Sequence, residues 1–270
     1  SVKNNIRLLY KLILAIKRAA MKTEKSWAYA LVRDFLRKVH CKQIWSKNGF
    51  IKKPIKLWRI LITNTLHIGD LPADIILNGD IAVDTEAMGL NNKRDRLCVV
   101  QLSDGNGDAH LVQFKTGEYN APNLIKLLTD PKRIKIFHFA RFDVAIIRHY
   151  LNVKLTNIYC TRTASRLVRT YSDKHGYKDI CKELIGVDVS KQQQSSYWGA
   201  QTLTAEQIDY AASDVLHLHK LKAKLDEMLA RENRTELAKA TFDFLPYRAE
   251  LDLAGWENED IFAHSWFNVI

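Results

Sequence analysis

Two carboxylates two residues apart, Asp84 and Glu86, close an apolar run that reads Ile81-Ala-Val-Asp-Thr-Glu-Ala87. On a strand, residues two apart share a face, so this spacing sets two negative groups side by side. Either the strand end frays and solvates both acids, or something positive sits between them, and a divalent cation is the usual answer. Downstream residues supply candidate companions. Asp143 lies just past a predicted strand at 134–138, in the first turn of a predicted helix. An acid there complements the helix dipole, but strand ends are also where α/β folds build sites. Tyr210 and Asp214 stand four apart on a predicted helix that is otherwise apolar, which places both on one face. One explanation covers all five. Asp84, Glu86, Asp143 and Asp214 hold a pair of hard divalent cations, Mg2+ or Mn2+, and Tyr210 takes or orients the proton of an attacking water. A tyrosine with an ordinary pKa of about 10 needs nearby cationic charge to act as a base at neutral pH.

The elements that must position these groups follow from the pattern. Strands are expected at about 80–86, 96–102 and 109–114, with Asp104–Asp108 (DGNGD) as a hairpin turn. A helix from Pro122, a strand at 134–138 and a helix at 140–151 come next. Helices follow at about 161–170 and 176–185. A polar loop over 191–199, KQQQSSYWG, precedes a long helix from Thr204 to about Leu229, and a last helix starts near Arg234. Thr204 with Gln207 has capping-box spacing. The stretch after Leu66, HIGDLP, reads as a turn. This order specifies an α/β domain, a mixed central sheet flanked by helices, with no internal repeat.

The net charge of +11 is unevenly spread. Residues 1–66 carry 16 lysines and arginines against two acids, a net of +14, and the remainder carries 25 basic against 28 acidic residues, a net of −3. The basic character therefore does not belong to the part that holds the acidic motif. Residues 1–65 read as a basic extension outside the catalytic fold. A signal peptide, an organelle transit peptide or a surface helix for anionic lipid or RNA are the alternatives. Its apolar run, Leu8–Ile16, contains Lys11 and is too short to span a bilayer. Cys41, Cys98, Cys160 and Cys181 form no CxxC pair, which argues against a zinc site or disulfide framework and fits a reducing compartment such as the cytoplasm.

Asp84-Thr85-Glu86, then His138-Phe-Ala-Arg-Phe-Asp143, then Tyr210 to Asp214 resemble the three motifs of the DEDDy family of 3′–5′ exonucleases, over about 66–265. The chain is most similar there to the short ribonuclease D-like members of the nano-RNase C group. The resemblance implies a ribonuclease H-like fold and release of nucleoside 5′-monophosphates from very short RNA, dinucleotides in particular. It also implies a ring-shaped homo-oligomer, an octamer in that group. DNA ends or longer RNA are the alternative substrates, and a non-catalytic nucleic-acid-binding module is the alternative class. Residues 1–60 and 266–270 have no counterpart in the short form. Carried over, Asp84, Glu86, Asp143 and Asp214 bind metal and Tyr210 is the general base, while Thr85 offers its backbone to the terminal nucleotide. Leu90 is either a wedge against a base or a core leucine after a tight glycine turn. His138 and Arg141 are phosphate contacts, or a satisfied strand-end histidine and a solvated arginine. In the 191–199 loop Tyr197 or Trp198 stacks on a base, or Trp198 anchors the loop. Arg162, Arg166 and Arg169 cluster as a local basic track, and His217 and His219 read as structural.

Overall fold

The computed structural model describes residues 64–189 and 195–263. The readings of residues 1–63, the first part of the 191–199 loop and the tail at 266–270 lie outside the described residues. Six strands form one mixed sheet in the order β1-β4-β3-β2-β5-β6. They are β1 (Asn64–Ile68), β2 (Ile81–Ala87), β3 (Leu97–Ser103), β4 (Ala109–Gln113), β5 (Lys135–Phe137) and β6 (Ile158–Cys160). β2, β3 and β4 form an antiparallel meander, while β5 joins β2, β6 joins β5 and β1 joins β4 in parallel. β3 is buried at every position, as a central strand covered on both faces must be.

Seven α-helices are described: α1 (Pro122–Thr129), α2 (Ala140–Leu151), α3 (Thr161–Val168), α4 (Tyr177–Ile185), α5 (Ala205–Leu216), α6 (Leu218–Arg231) and α7 (Thr235–Leu251). α5 lies across β1 to β4, with Ala211, Ala212 and Val215 against the sheet. α2 packs over β3, β5 and β6 and against α7. The Thr204–Gln207 capping box forms as its spacing predicts, satisfying two of the free N–H groups that open α5.

Three expectations change. The segment read as a turn after Leu66 begins inside strand β1, whose partner β4 is about forty residues away in the chain and invisible to local pattern. β6 spans three residues, too few to show a period. The expected long helix from Thr204 divides at His217 (φ −112, ψ −4). α5 serves the sheet face whereas α6 packs on α3, α4 and β5, and one straight rod cannot cover both surfaces.

Candidate active site

β2 carries its apolar residues Ile81 to Val83 into the core and delivers Asp84 and Glu86 half-buried at its end. A register shift between Glu86 and Ala87 bulges the strand there, a device that re-aims side chains near sites. α5 brings Asp214 to the same place from the neighbouring layer. One oxygen from each of Asp84, Glu86 and Asp214 lies within 4.8 Å of the others, a spacing that one cation can bridge. Asp143 is buried at the start of α2 and is held separately: Thr85 Oγ1 donates to its Oδ1 at 2.6 Å. Its charge still reaches Asp84 and Glu86.

Burial, ahead of every other cause, lifts all four carboxyls. Asp84 is pushed up to about 7, with the Thr85 backbone N–H opposing. Glu86 is pushed well up by burial and then by the charges of Asp84, Asp214 and Asp143. Asp143 and Asp214 rise by burial and then by Asp84. Among the described residues no lysine or arginine figures with the groups acting on the four. A group of hard oxygen donors with unbalanced negative charge fits Mg2+ or Mn2+ by the chemistry of its ligands. Tyr210 is raised as well, by burial first and then by Asp214, Glu86 and Asp84. The neutral phenol is thus the stable form beside the bare acids.

The remaining expected residues divide. Leu90 is 89% exposed, so it is not a core leucine. It follows Gly89, where a Cβ would stand 2.3 Å from Asp95 Oδ2, so a larger residue there would displace the Asp95 side chain. Asp95 accepts from the Asn91 N–H and from Arg94, which stiffens the platform under Leu90. Trp198 is buried and its ring lies 6.2 Å from that of Tyr210, so it packs beside that tyrosine, and the adjacent Tyr197 is 66% exposed. Of the two, only Tyr197 offers its ring to solvent. His138 Nδ1 lies 2.9 Å from Thr161 Oγ1 and its ring 5.5 Å from that of Tyr177. Arg141 is not brought to the acids; its guanidinium forms a two-pronged ion pair with Asp252 and also donates to the Glu257 carbonyl. That partner lies 111 residues on, out of reach of any local reading. Thr85 contributes its side chain, to Asp143, besides its backbone.

Three residues escaped the sequence reading. Gln207, one helical turn before Tyr210 on α5, donates to Ser196 Oγ at 2.7 Å and to the Tyr197 carbonyl at 3.2 Å, fixing the loop. The capping box pointed to Gln207 but not to this second bond. Tyr177 opens α4 and donates to the Ser213 carbonyl at 2.7 Å, next to Asp214. Gln101 stands opposite Asp84 on β3, fully buried, with neither amide atom hydrogen-bonded. Strand pairing would have exposed it had the β2–β3 register been known.

The profile of the family described as 3′–5′ exonuclease matches residues 70–230. Ribonuclease D of Gluconacetobacter diazotrophicus is 30% identical over 177 residues, which cover 66% of this chain but 44% of that protein. The chain therefore spans under half the length of this relative. NrnC of Brucella melitensis, solved bound to pGG, is 52% identical with a TM-score of 0.73, covering 76% of this chain and 98% of that one. The same protein solved with bound Mg2+ is 51% identical with a TM-score of 0.72, covering 76% and 99%. Escherichia coli ribonuclease D, at 23% identity and a TM-score of 0.56 over 63% of this chain and 45% of that one, shares the fold. The sheet order, the convergent acids and the matched profile agree, and the chain belongs to the 3′–5′ exonuclease family, as a nuclease of the ribonuclease D and NrnC type.

Proposed function

We propose that this protein is a metal-dependent 3′–5′ exoribonuclease that acts on very short RNA, dinucleotides in particular, and releases nucleoside 5′-monophosphates. The observation that carries the reading is the convergence of Asp84, Glu86 and Asp214 within 4.8 Å, with Tyr210 beside them. In this reading those three acids and Asp143 hold two divalent ions. When bound, the ions supply positive charge that eases ionisation of a water and balances charge on the departing oxygen. Tyr210 orients the attacking water through its hydroxyl, and Trp198 keeps the tyrosine ring in place. Leu90 wedges against the terminal base, Tyr197 stacks beside it, and His138 meets the phosphate. Thr85 fixes the rotamer of Asp143 while its backbone faces the terminal nucleotide.

The pGG-bound relative, 98% of whose chain this one matches, supports a dinucleotide substrate. A net −3 outside residues 1–66 supports it too, because a long strand calls for a broad basic surface. Trimming of longer RNA or DNA ends is the second reading, carried by the likeness to ribonuclease D. Self-association, as in the expected ring, is supported by an exposed aromatic group in which Phe244 lies 6.4 Å from Tyr247 and 6.1 Å from Phe262. Cys98, Cys160 and Cys181 are buried and free, which supports a reducing compartment, the cytoplasm. Residues 1–65 are, in this proposal, an extension separate from catalysis.

The test is a product time course with Mn2+ or Mg2+. Equal amounts of a 5′-labelled diribonucleotide, a seven-nucleotide RNA and a duplex DNA are offered, with Asp84→Ala as control. The expected result is far faster loss of the dinucleotide and an inactive variant. Equal or faster trimming of the longer substrates overturns the short-RNA assignment, and cleavage of none overturns the enzyme.

A further inference from the structure

Phe139 stands at the exit of β5 with φ 66 and ψ 45, in the left-handed region. Among the described residues the other non-glycine positions with positive φ are Asn152, Asn157 and Asn233. Asparagine tolerates that region and a bulky aromatic residue does not. Nor does burial of the ring compensate, since Phe139 is 50% exposed. Backbone held in such a conformation at a surface near a site is a mark of function.

The ring has a cationic neighbour. The guanidinium carbon of Arg162 sits 4.9 Å from its centroid. Arg166, one turn further along α3, is exposed. Neither arginine has an ion-pair partner among the described residues. Arg169, the third of the run, differs: it is fully buried and bonded to Glu183 and Ser165. The basic track thus reduces to two unneutralised guanidinium groups and an exposed ring. Burial first, then the charges of Arg169, Arg166 and Arg162, lowers the pKa of His175.

This group is joined to the acids by short steps. Ser213, beside Asp214, accepts from Tyr177; the Tyr177 ring meets that of His138; His138 is followed by Phe139 and lies 2.9 Å from Thr161, which precedes Arg162. Leu90 and Tyr197 belong to the β2–β3 turn and the 195–199 loop, which meet at Met88 and Gly199. A strand whose 3′-terminal residue lies by those loops has to leave past other elements. A π-face takes any base, and paired guanidinium groups take the phosphates between bases.

We propose that Phe139 and Arg162 form the subsite for the nucleotide on the 5′ side of the scissile phosphate, with the base on the Phe139 ring and its phosphate facing Arg162. Arg166 extends the subsite for a third nucleotide. The assignment rests on the exonuclease reading of the acidic centre. In a dinucleotide the subsite holds the second and last residue, so it sets affinity for the shortest substrates.

The test pairs variants with substrates, using the full chain and Mn2+. Three substrates share one leaving-group chemistry: a 5′-phosphorylated diribonucleotide, the same without its 5′-phosphate, and the same with an abasic upstream ribose. The wild type is expected to lose about 10-fold or more in kcat/KM when the upstream base is removed, mostly through KM. Phe139→Gly is expected to be nearly indifferent to that removal, and Arg162→Ala to removal of the phosphate. Glycine relieves the backbone, so the Tm of Phe139→Gly is expected to hold or rise. Variants that keep the wild-type sensitivities overturn the subsite while leaving the exonuclease in place. A Tm that falls with the sensitivities intact assigns the ring to the fold and overturns it as well. Wild-type protein that cleaves none of the three overturns the exonuclease reading and the subsite together.

Discussion

Asp84, Glu86, Asp143 and Asp214 are each placed where burial penalises their charged form and where neighbours add like charge. Function and stability are therefore expected to move in opposite directions at these positions. Asp84→Asn and Asp214→Asn should reduce turnover by at least 10²–10³-fold, the order found when a single charge-stabilising group is removed. In EDTA the same variants should melt higher than the wild type, by roughly 2–4 °C for each kcal/mol of relieved repulsion. A calorimetric scan of each, with and without metal, checks both. A lower Tm in EDTA would show that the carboxylates are held by partners other than a cation. Leu90 is the opposite case. Exposed at 89%, it stabilises little, so Leu90→Ala should leave the unfolding free energy within about 0.5 kcal/mol of wild type while raising KM. Michaelis kinetics beside a melting curve separates the two effects.

At the scale of elements, the parallel β1–β4 pair carries a pH dependence. His67 Nε2 and His110 Nδ1 lie 3.0 Å apart with stacked rings. Burial first, then the charge of His110, lowers His67 to about 4, with Asp74 opposing. Between its ordinary value of 6.5 and about 4, the unfolded chain takes up a proton that the folded one refuses. Stability contributed by this edge is therefore complete above pH 6.5 and is lost as the pH falls toward 4. Equilibrium unfolding from pH 4.5 to 7.5 should show this slope, and His67→Gln should flatten it. The same edge marks a limit of what the chain alone discloses. β2, β3 and β4 were legible because each carries enough residues for its period and hairpin turns join them. β1 and β6, the two edges, are short and owe their strand form to partners distant in the chain. The neighbourhood of Asp84 with Glu86 and of Tyr210 with Asp214 was legible because period two on a strand and period four on a helix fix which side chains meet, whereas Asp143 offered only its place after a strand end. Trp198 and Tyr197 were not separable, since adjacent loop residues point apart and nothing local says which faces inward. Arg141 read as a phosphate contact because Asp252, its ion-pair partner, is known only from the tertiary fold.

For the whole molecule, the charge division and the exposed aromatic group give two expectations. Removing residues 1–61 leaves β1 whole and should retain turnover on a dinucleotide; a large loss would assign the basic segment a part in catalysis. Phe244→Ser with Phe262→Ser should lower the mass seen in native mass spectrometry if that surface joins subunits, and an unchanged mass would place the contact elsewhere. Among the described residues no helix is long and apolar enough to cross a membrane. A divalent ion present at 100 times its Kd should stabilise the fold by about 2.7 kcal/mol, which a thermal shift with Mg2+ and Mn2+ measures directly.

One helix face ties these scales together. Gln207, Tyr210 and Asp214 succeed one another along α5 at three- and four-residue intervals, so the grip on the Tyr197 loop, the phenol and an acidic ligand belong to one rigid rod. A displacement of that rod cannot serve one of them without moving the others. If, as proposed, nucleotide occupies the loop side and a cation the acidic side, the two are thermodynamically linked, and linkage is reciprocal: whatever factor the cation adds to the affinity for nucleotide, the nucleotide must return to the affinity for cation.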